Sequence, residues 1–281
     1  MNNLIRAGLY VIASSLAFAS MGALIKQTSA DIPNETLVFF RNVVALLILT
    51  PWVLARGFAT LNTRVFSLHV LRSAAGLTAM YCYFFALASI PLAEAVILHM
   101  TAPLFIPIIA WIWLKEPAPS RTKWAIGIGY IGILLILKPG SGIFTFVALF
   151  ALASGLFASI AMVCIRRMAA TEPPLRIVWY FTLISTVIST IPLLWTWHIP
   201  EPSMIGTLVL IGALATLGQL LLTRGYTLAP AGQVGGFAYS EVVFGFTLGW
   251  IVWNELPDSL SVIGILTVCS AGMLILSHAR R

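Results

Sequence analysis

The chain reads as long apolar runs interrupted by short clusters of charge, Pro, Asn or Gly. In order, the runs predict spans at roughly residues 5–27, 36–55, 68–89, 92–114, 122–138, 143–165, 175–197, 203–223, 232–253 and 259–278. Each approaches the length of roughly 17–25 residues that a helix needs to cross the hydrocarbon of a bilayer. Backbone groups in hydrocarbon find partners only within helices or closed barrels, and barrel strands are short and alternate in polarity. The pattern therefore predicts an all-α integral membrane protein of ten transmembrane helices. The first run, behind Arg6, exceeds the apolar stretch of a secretory signal and is expected to remain as a helix.

Composition agrees: 60% of the 281 residues are hydrophobic and 9% charged, against roughly 25% charged in ordinary soluble domains. The net charge of +7 raises nucleic-acid binding as a function class, and its distribution argues against it. With the N-terminus inside, Arg6, Arg56, Arg64, Arg72, Lys115, Arg121, Lys123, Arg166, Arg167, Arg176, Arg224, Arg280 and Arg281 share one side, 13 of the 16 basic residues. Lys26 and Lys138 fall on the other side, and Arg41 lies within the second span. By the positive-inside rule both termini are expected in the cytoplasm, with the charge serving topology in an inner membrane and not nucleic-acid binding.

Enzyme chemistry finds no support. Cys82, Cys164 and Cys269 lie in separate spans, and the histidines at 69, 99, 198 and 278 are scattered. No His-Glu-x-x-His, Gly-x-Ser-x-Gly, Gly-rich phosphate loop or pair of intramembrane aspartates is present. Neither a metal nor a cofactor is expected, and nothing reads as a nucleotide-binding segment.

An internal repeat organises the chain. VIASSLAFASMGALIK (residues 11–26) aligns with ALASGLFASIAMVCIR (151–166), and FALASIPLAEAV (85–96) with RGYTLAPAGQVG (224–235). Pro91 meets Pro230, Glu94 meets Gln233, Trp111 meets Trp250 and Glu116 meets Glu255, at a shift of 139 or 140 throughout. The expected halves are residues 1–140 and 141–281, five spans each. An odd number of crossings makes the second half enter the membrane from the opposite side, and inverted repeats are typical of secondary transporters with a site near the midplane.

Lys26, FFRNVVALLIL (39–49) around Arg41, FFALASIPLAEA (84–95), Pro-Leu-Phe at 103–105, WLKEP (113–117) and GYIGILLILKPG (129–140) together resemble the EamA repeat of the drug/metabolite transporter superfamily. The second half departs from it, with Phe181 in place of Arg41 and Val242 in place of Pro103. The resemblance implies a ten-helix carrier of small organic molecules whose central cavity is lined by spans 1, 3, 4, 6, 8 and 9. HVLRSAAG (69–76) followed by the IPLAEA stretch looks like the subgroup with S-adenosylmethionine and riboflavin carriers, so a substrate of that kind, or an amino-acid-like one, is what the resemblance implies.

Ionisable groups inside spans cost about 2.5–3.5 kcal/mol on insertion scales and so mark candidate sites. Glu116 and Glu255 end helices beside Lys115 and Asn254, which suits capping or gate pairing. Glu94 opens a helix behind Pro91, where the helix dipole favours a carboxylate; its roles are capping or gating. Arg41 reads as bundle packing or as a gate or substrate group. His99 and Glu241 lie deep in the fourth and ninth spans, in registers three residues apart on equivalent helices, since His99 aligns with Ala238 and Glu241 with Ala102. Three residues is the spacing of one helix face. If the two spans face each other, both side chains enter one cavity, where Glu241 takes a proton or the cationic or donor part of a substrate and His99 is a second polar contact or proton partner. The alternative for both is satisfied packing. Tyr81 and Tyr239 are candidate aromatic walls, and Gln219 is a candidate hydrogen-bonding group.

The expectation is a secondary transporter working by alternating access, through proton coupling or exchange, whose partners are a small-molecule substrate and the lipid bilayer, with the whole pathway in one chain. A lipid flippase or a passive channel is the alternative, because either is compatible with ten helices in an inverted repeat.

Overall fold

The computed structural model describes residues 3–115, 120–137, 146–196, 200–255 and 258–277, and every regular element among them is helical. Long uninterrupted helices form where apolar residues run without a breaker: α1 (Asn3–Thr28), α2 (Asn34–Arg56), α3 (Phe66–Ser89), then α7 (Phe146–Met168), α8 (Pro174–Thr196) and α9 (Pro202–Leu228). The fourth and ninth predicted spans are each broken. The fourth is α4 (Leu92–His99) followed by α5 (Ala102–Leu114); the ninth is α10 (Ala231–Val234), a 3-10 turn (Gly235–Tyr239) and α11 (Ser240–Trp253). The helices α6 (Ser120–Leu137) and α12 (Ser259–Ser277) complete the set. Among the described residues, eight segments are long and apolar enough to span a membrane, counting 94–114 and 231–253 as one each.

Two helices run three or more residues beyond their predicted ends. The sixth and eighth spans were expected to stop at 165 and 223, ahead of arginines, yet α7 runs to Met168 and α9 to Leu228. Arginine propagates a helix well, and a long side chain at a helix end can extend its charge toward water. The stops come instead from residues with special backbone requirements. Ile90 and Ala229, each extended and each followed by proline, end α3 and α9. Proline disfavours helical geometry in the residue before it.

The halves repeat one another in backbone detail. α2 and α8 begin and end 140 residues apart, at 34 and 174 and at 56 and 196. Lys115 and Asn254, 139 apart, close α5 and α11 in the left-handed conformation (φ 57° and 54°). Packing follows the same relation: α1 lies on α9 as α3 lies on α7, α2 lies on α8, and α6 lies on α12. The large apolar cluster therefore runs through both halves, while chains such as Leu47, Leu194, Trp195 and Ile251 face outward, as expected where the surroundings are lipid.

Small residues set how closely the helices approach. A Cβ on Gly155 of α7 would collide with Thr101 Oγ1 and lie 2.8 Å from the His99 carbonyl oxygen and 3.2 Å from the Ala102 nitrogen, all at the break between α4 and α5. Because two of these are backbone atoms, the break itself must move. Gly155→Ala is expected to destabilise the fold by about 1–3 kcal/mol, seen as a lowered thermal midpoint of the purified protein; an unchanged midpoint would mean that the break yields freely.

Candidate functional site

The two breaks lie at equivalent positions. Met100 and Thr101 separate α4 from α5, and their repeat counterparts, Tyr239 and Ser240, join the 3-10 turn to α11. Pro103 explains the first break in part: it has no N–H, so the His99 carbonyl loses its normal helical donor. Thr101 turns inward instead, its Oγ1 donating to the Leu98 oxygen at 2.8 Å and its carbonyl accepting from Leu104 N at 2.9 Å. The second break has no central proline; Gly235 and Gly236 open the 3-10 turn. His99 thus ends one half-helix and Glu241 begins another, and both line one cavity between the halves.

His99 is held firmly. Its ring stacks on Tyr83, centroids 4.3 Å apart and planes at 21°, and Nδ1 lies 2.8 Å from Ser154 Oγ. The single hydroxyl hydrogen of Ser154 is directed to the Ala151 oxygen at 2.6 Å. A carbonyl can only accept, so Nδ1–H is assigned as donor to the serine and the neutral ring keeps Nε2 as its acceptor. Glu241 is 4% exposed and makes no hydrogen bond or ion pair with the described residues. An unpaired buried carboxyl is costly unless something binds it.

Two arginines share this cavity. Arg41 on α2 donates from Nη1 to Asn42 Oδ1 at 2.7 Å, and Arg72 on α3 donates from Nη2 to Gln219 Oε1 at 2.6 Å. Both lie against the ring of Phe181 on α8, with Cζ at 5.3 Å and 3.5 Å from its centroid. Arg72 was expected among the charges flanking the membrane; it is instead 1% exposed, inside the bundle. The error has a physical source, since its position six residues into α3 looks terminal by counting, whereas the helix delivers the side chain to the cavity. The lining accordingly extends beyond the six implied spans to α2 and α8, through Arg41 and Phe181.

The remaining expected residues divide. Gln219 lines the cavity, and its Oε1 is occupied by Arg72. Tyr81 and Tyr239 are not among the lining residues; the aromatic walls are Tyr83, Tyr226, Phe18, Phe84 and Phe181. Glu94 lies in the first turn of α4, half-buried and outside the lining. Glu116, Lys138, His198, His278, Arg280 and Arg281 lie outside the described residues. No cluster of metal-ligating side chains occurs among the described residues.

The halves are bridged at both ends of their helices. Where α1 and α3 finish, Lys26 Nζ pairs with Glu255 Oε1 at 2.9 Å and donates to the Ile90 oxygen at 3.0 Å. Glu255 Oε2 accepts Leu92 N–H at 2.9 Å, so this carboxylate also caps α4. At the other end, Glu172 accepts from Thr63 Oγ1 at 2.8 Å and from Arg176 Nη1 at 3.0 Å, with His69 Nε2 at 3.4 Å. Tyr180 donates to the Leu61 carbonyl at 2.8 Å, and Arg176 Nε to that of Thr60 at 2.6 Å.

The polar cavity residues depart from the repeat. Arg41 aligns with Phe181, Arg72 with Ile211, Met80 with Gln219, His99 with Ala238 and Ala102 with Glu241. The scaffold is duplicated, whereas its chemistry is asymmetric.

Known proteins share this scaffold. A crystal structure superimposes with a TM-score of 0.76 over 98% of both chains at 20% identity, a likeness of fold. The pseudopaline exporter of Pseudomonas aeruginosa is 33% identical over 276 residues, 96% of each chain. The riboflavin transporter of Vibrio cholerae is 24% identical over 98% of this chain and 92% of its own. The human solute carrier family 35 member G1 is 28% identical over 94% of this chain and 77% of its own. The profile of the EamA-like transporter family matches twice, over residues 5–138 and 145–277. With paired broken helices, a shared central cavity and both repeats matched, this chain belongs to the EamA-like transporter family.

Proposed function

We propose that the chain carries a small organic metabolite across a bacterial inner membrane by alternating access, with the central cavity as its single site. The observation that supports this most strongly is the pair of equivalent helix breaks, which bring His99 and Glu241 from opposite halves into one cavity. Irregular backbone at membrane depth is tolerated where it lines such a cavity. Read as inverted repeats of residues 1–140 and 141–281 about an axis in the membrane plane, the halves rock around the site. Charge distribution supports cytoplasmic termini, which puts the Lys26–Glu255 bridge at the outer face and the Glu172 cluster at the inner. Opening either face requires its bridge to part. Glu241 receives the cationic or donor group of the solute, or a proton; His99 Nε2 accepts a second hydrogen bond. Arg41 and Gln219 complete the polar lining, and a single chain supplies the whole pathway.

The test is ligand-induced stabilisation of the purified protein by amino acids, nucleosides, S-adenosylmethionine, riboflavin and quaternary amines, followed by transport of the hits into proteoliposomes. A ligand of the folded state raises its apparent stability by mass action. Saturable uptake of a stabilising solute is expected. Movement of phospholipid alone would make the protein a flippase.

A further inference from the structure

Arg41 and Arg72 are buried cations without an acidic partner among the described residues. Arg41 is 2% and Arg72 1% exposed, and their hydrogen bonds go to neutral amides. Arg41 Nε, Arg72 Nε and Arg72 Nη1 have no hydrogen-bond partner among the described residues. Burying a charge inside a membrane protein is costly, and each unsatisfied buried donor adds to that cost. Stacking on Phe181 offsets part of that cost for the closer guanidinium, but supplies no hydrogen-bond acceptor. Two like charges beside one ring also repel, so packing alone leaves the pair unexplained.

The missing partner belongs in the cavity. Guanidinium forks match carboxylates in a bidentate manner, and with its Oε1 occupied, Gln219 retains an amide N–H₂ to donate. The cavity also contains Glu241, which repels a ligand that is anionic throughout and attracts an amine. Two arginines and one carboxylate make a net positive lining when Glu241 is ionised. The matching solute is a zwitterion with an excess of carboxylate. Resting on the transport reading, we infer that the Arg41–Arg72 pair is a carboxylate subsite. The solute carried is then an amino compound with at least two carboxylates, held by the arginines at one end and by Glu241 through its amino group at the other.

Gly76 supplies a probe that keeps every charge. A Cβ there would lie 3.0 Å from both Arg72 Nη1 and Phe181 Cε2, so Gly76→Ala displaces the guanidinium and its ring while leaving the ionisable residues intact.

Binding to the purified full-length protein is measured with L-glutamate, N-(carboxymethyl)-L-aspartate and citrate, against L-lysine, choline and riboflavin. The two carboxylated amines are expected to bind, N-(carboxymethyl)-L-aspartate more tightly, and lysine and choline not to bind. Arg72→Gln, Arg72→Lys and Gly76→Ala should each weaken that binding, the glutamine variant by roughly tenfold or more. Glu241→Gln should weaken the amino compounds and not citrate. Should the glutamine variant fail to fold, the native protein's preference and the Gly76→Ala variant still decide. Binding of choline, lysine or riboflavin that ignores Arg72 would overturn the inference, as would silence of every carboxylated probe with folded protein. Uptake of riboflavin or choline into proteoliposomes would then leave the transport reading standing; movement of phospholipid alone would remove both.

Discussion

Replacing Glu241 by Gln is expected to reduce transport roughly ten- to a hundredfold while leaving the protein folded. The size follows from the 1.5–3 kcal/mol or so that a hydrogen bond to a charged group contributes. The tolerance follows from its surroundings: Glu241 is buried, faces the cavity and bonds to none of the described residues, so the isosteric amide breaks no internal contact. A structural carboxylate would behave in the opposite way, with lost stability and retained turnover. Thermal unfolding and uptake measured on one preparation separate the two. Unchanged uptake by folded Glu241→Gln would remove this residue from the site.

The second large effect is expected at the Lys26–Glu255 bridge. Lys26→Glu places two carboxylates where the Lys26–Glu255 contact of 2.9 Å now lies. The pair is partly exposed, its side chains 15% and 23% accessible, so the lost attraction and the new repulsion are together discounted to about 1–2 kcal/mol. That still shifts an equilibrium between closed and open states by roughly five- to thirtyfold, and transport should fall accordingly. Exchanging both charges, Lys26→Glu with Glu255→Lys, should restore part of the rate. Full restoration is not expected, because Glu255 also caps α4 through Leu92 N and a lysine cannot accept that bond. If the double variant were no better than Lys26→Glu alone, the bridge would be irrelevant to gating.

Fold and repeat were legible because hydrocarbon imposes simple rules: length, apolarity and the Pro at 91 and 230 mark the spans and their register. His99 and Glu241 stood out for the same reason, as costly groups at mid-span. Arg72 did not, because distance from a predicted helix end is a poor guide to burial when helices extend past the lipid boundary. A signal was nonetheless present: in the aligned stretches VLR and VLI, arginine replaces the isoleucine at 211. Breaks in the repeat at Arg41, Arg72, His99, Gln219 and Glu241 trace the polar lining more faithfully than depth does. The aromatic walls were less accessible to such reasoning. Tyr81 and Tyr83 lie two residues apart on α3, and which of them meets the cavity depends on helix rotation, fixed here by packing against α7 and by the stack of Tyr83 on His99.

The most direct test of the central claim is counterflow in proteoliposomes containing only this protein, preloaded with unlabelled N-(carboxymethyl)-L-aspartate or riboflavin and given the same labelled solute outside. A carrier with one alternately exposed site predicts saturable uptake that is accelerated by solute on the far side and reduced roughly ten- to a hundredfold in Glu241→Gln. Flux that rises linearly with concentration, indifferent to solute on the far side, would contradict it and describe a channel.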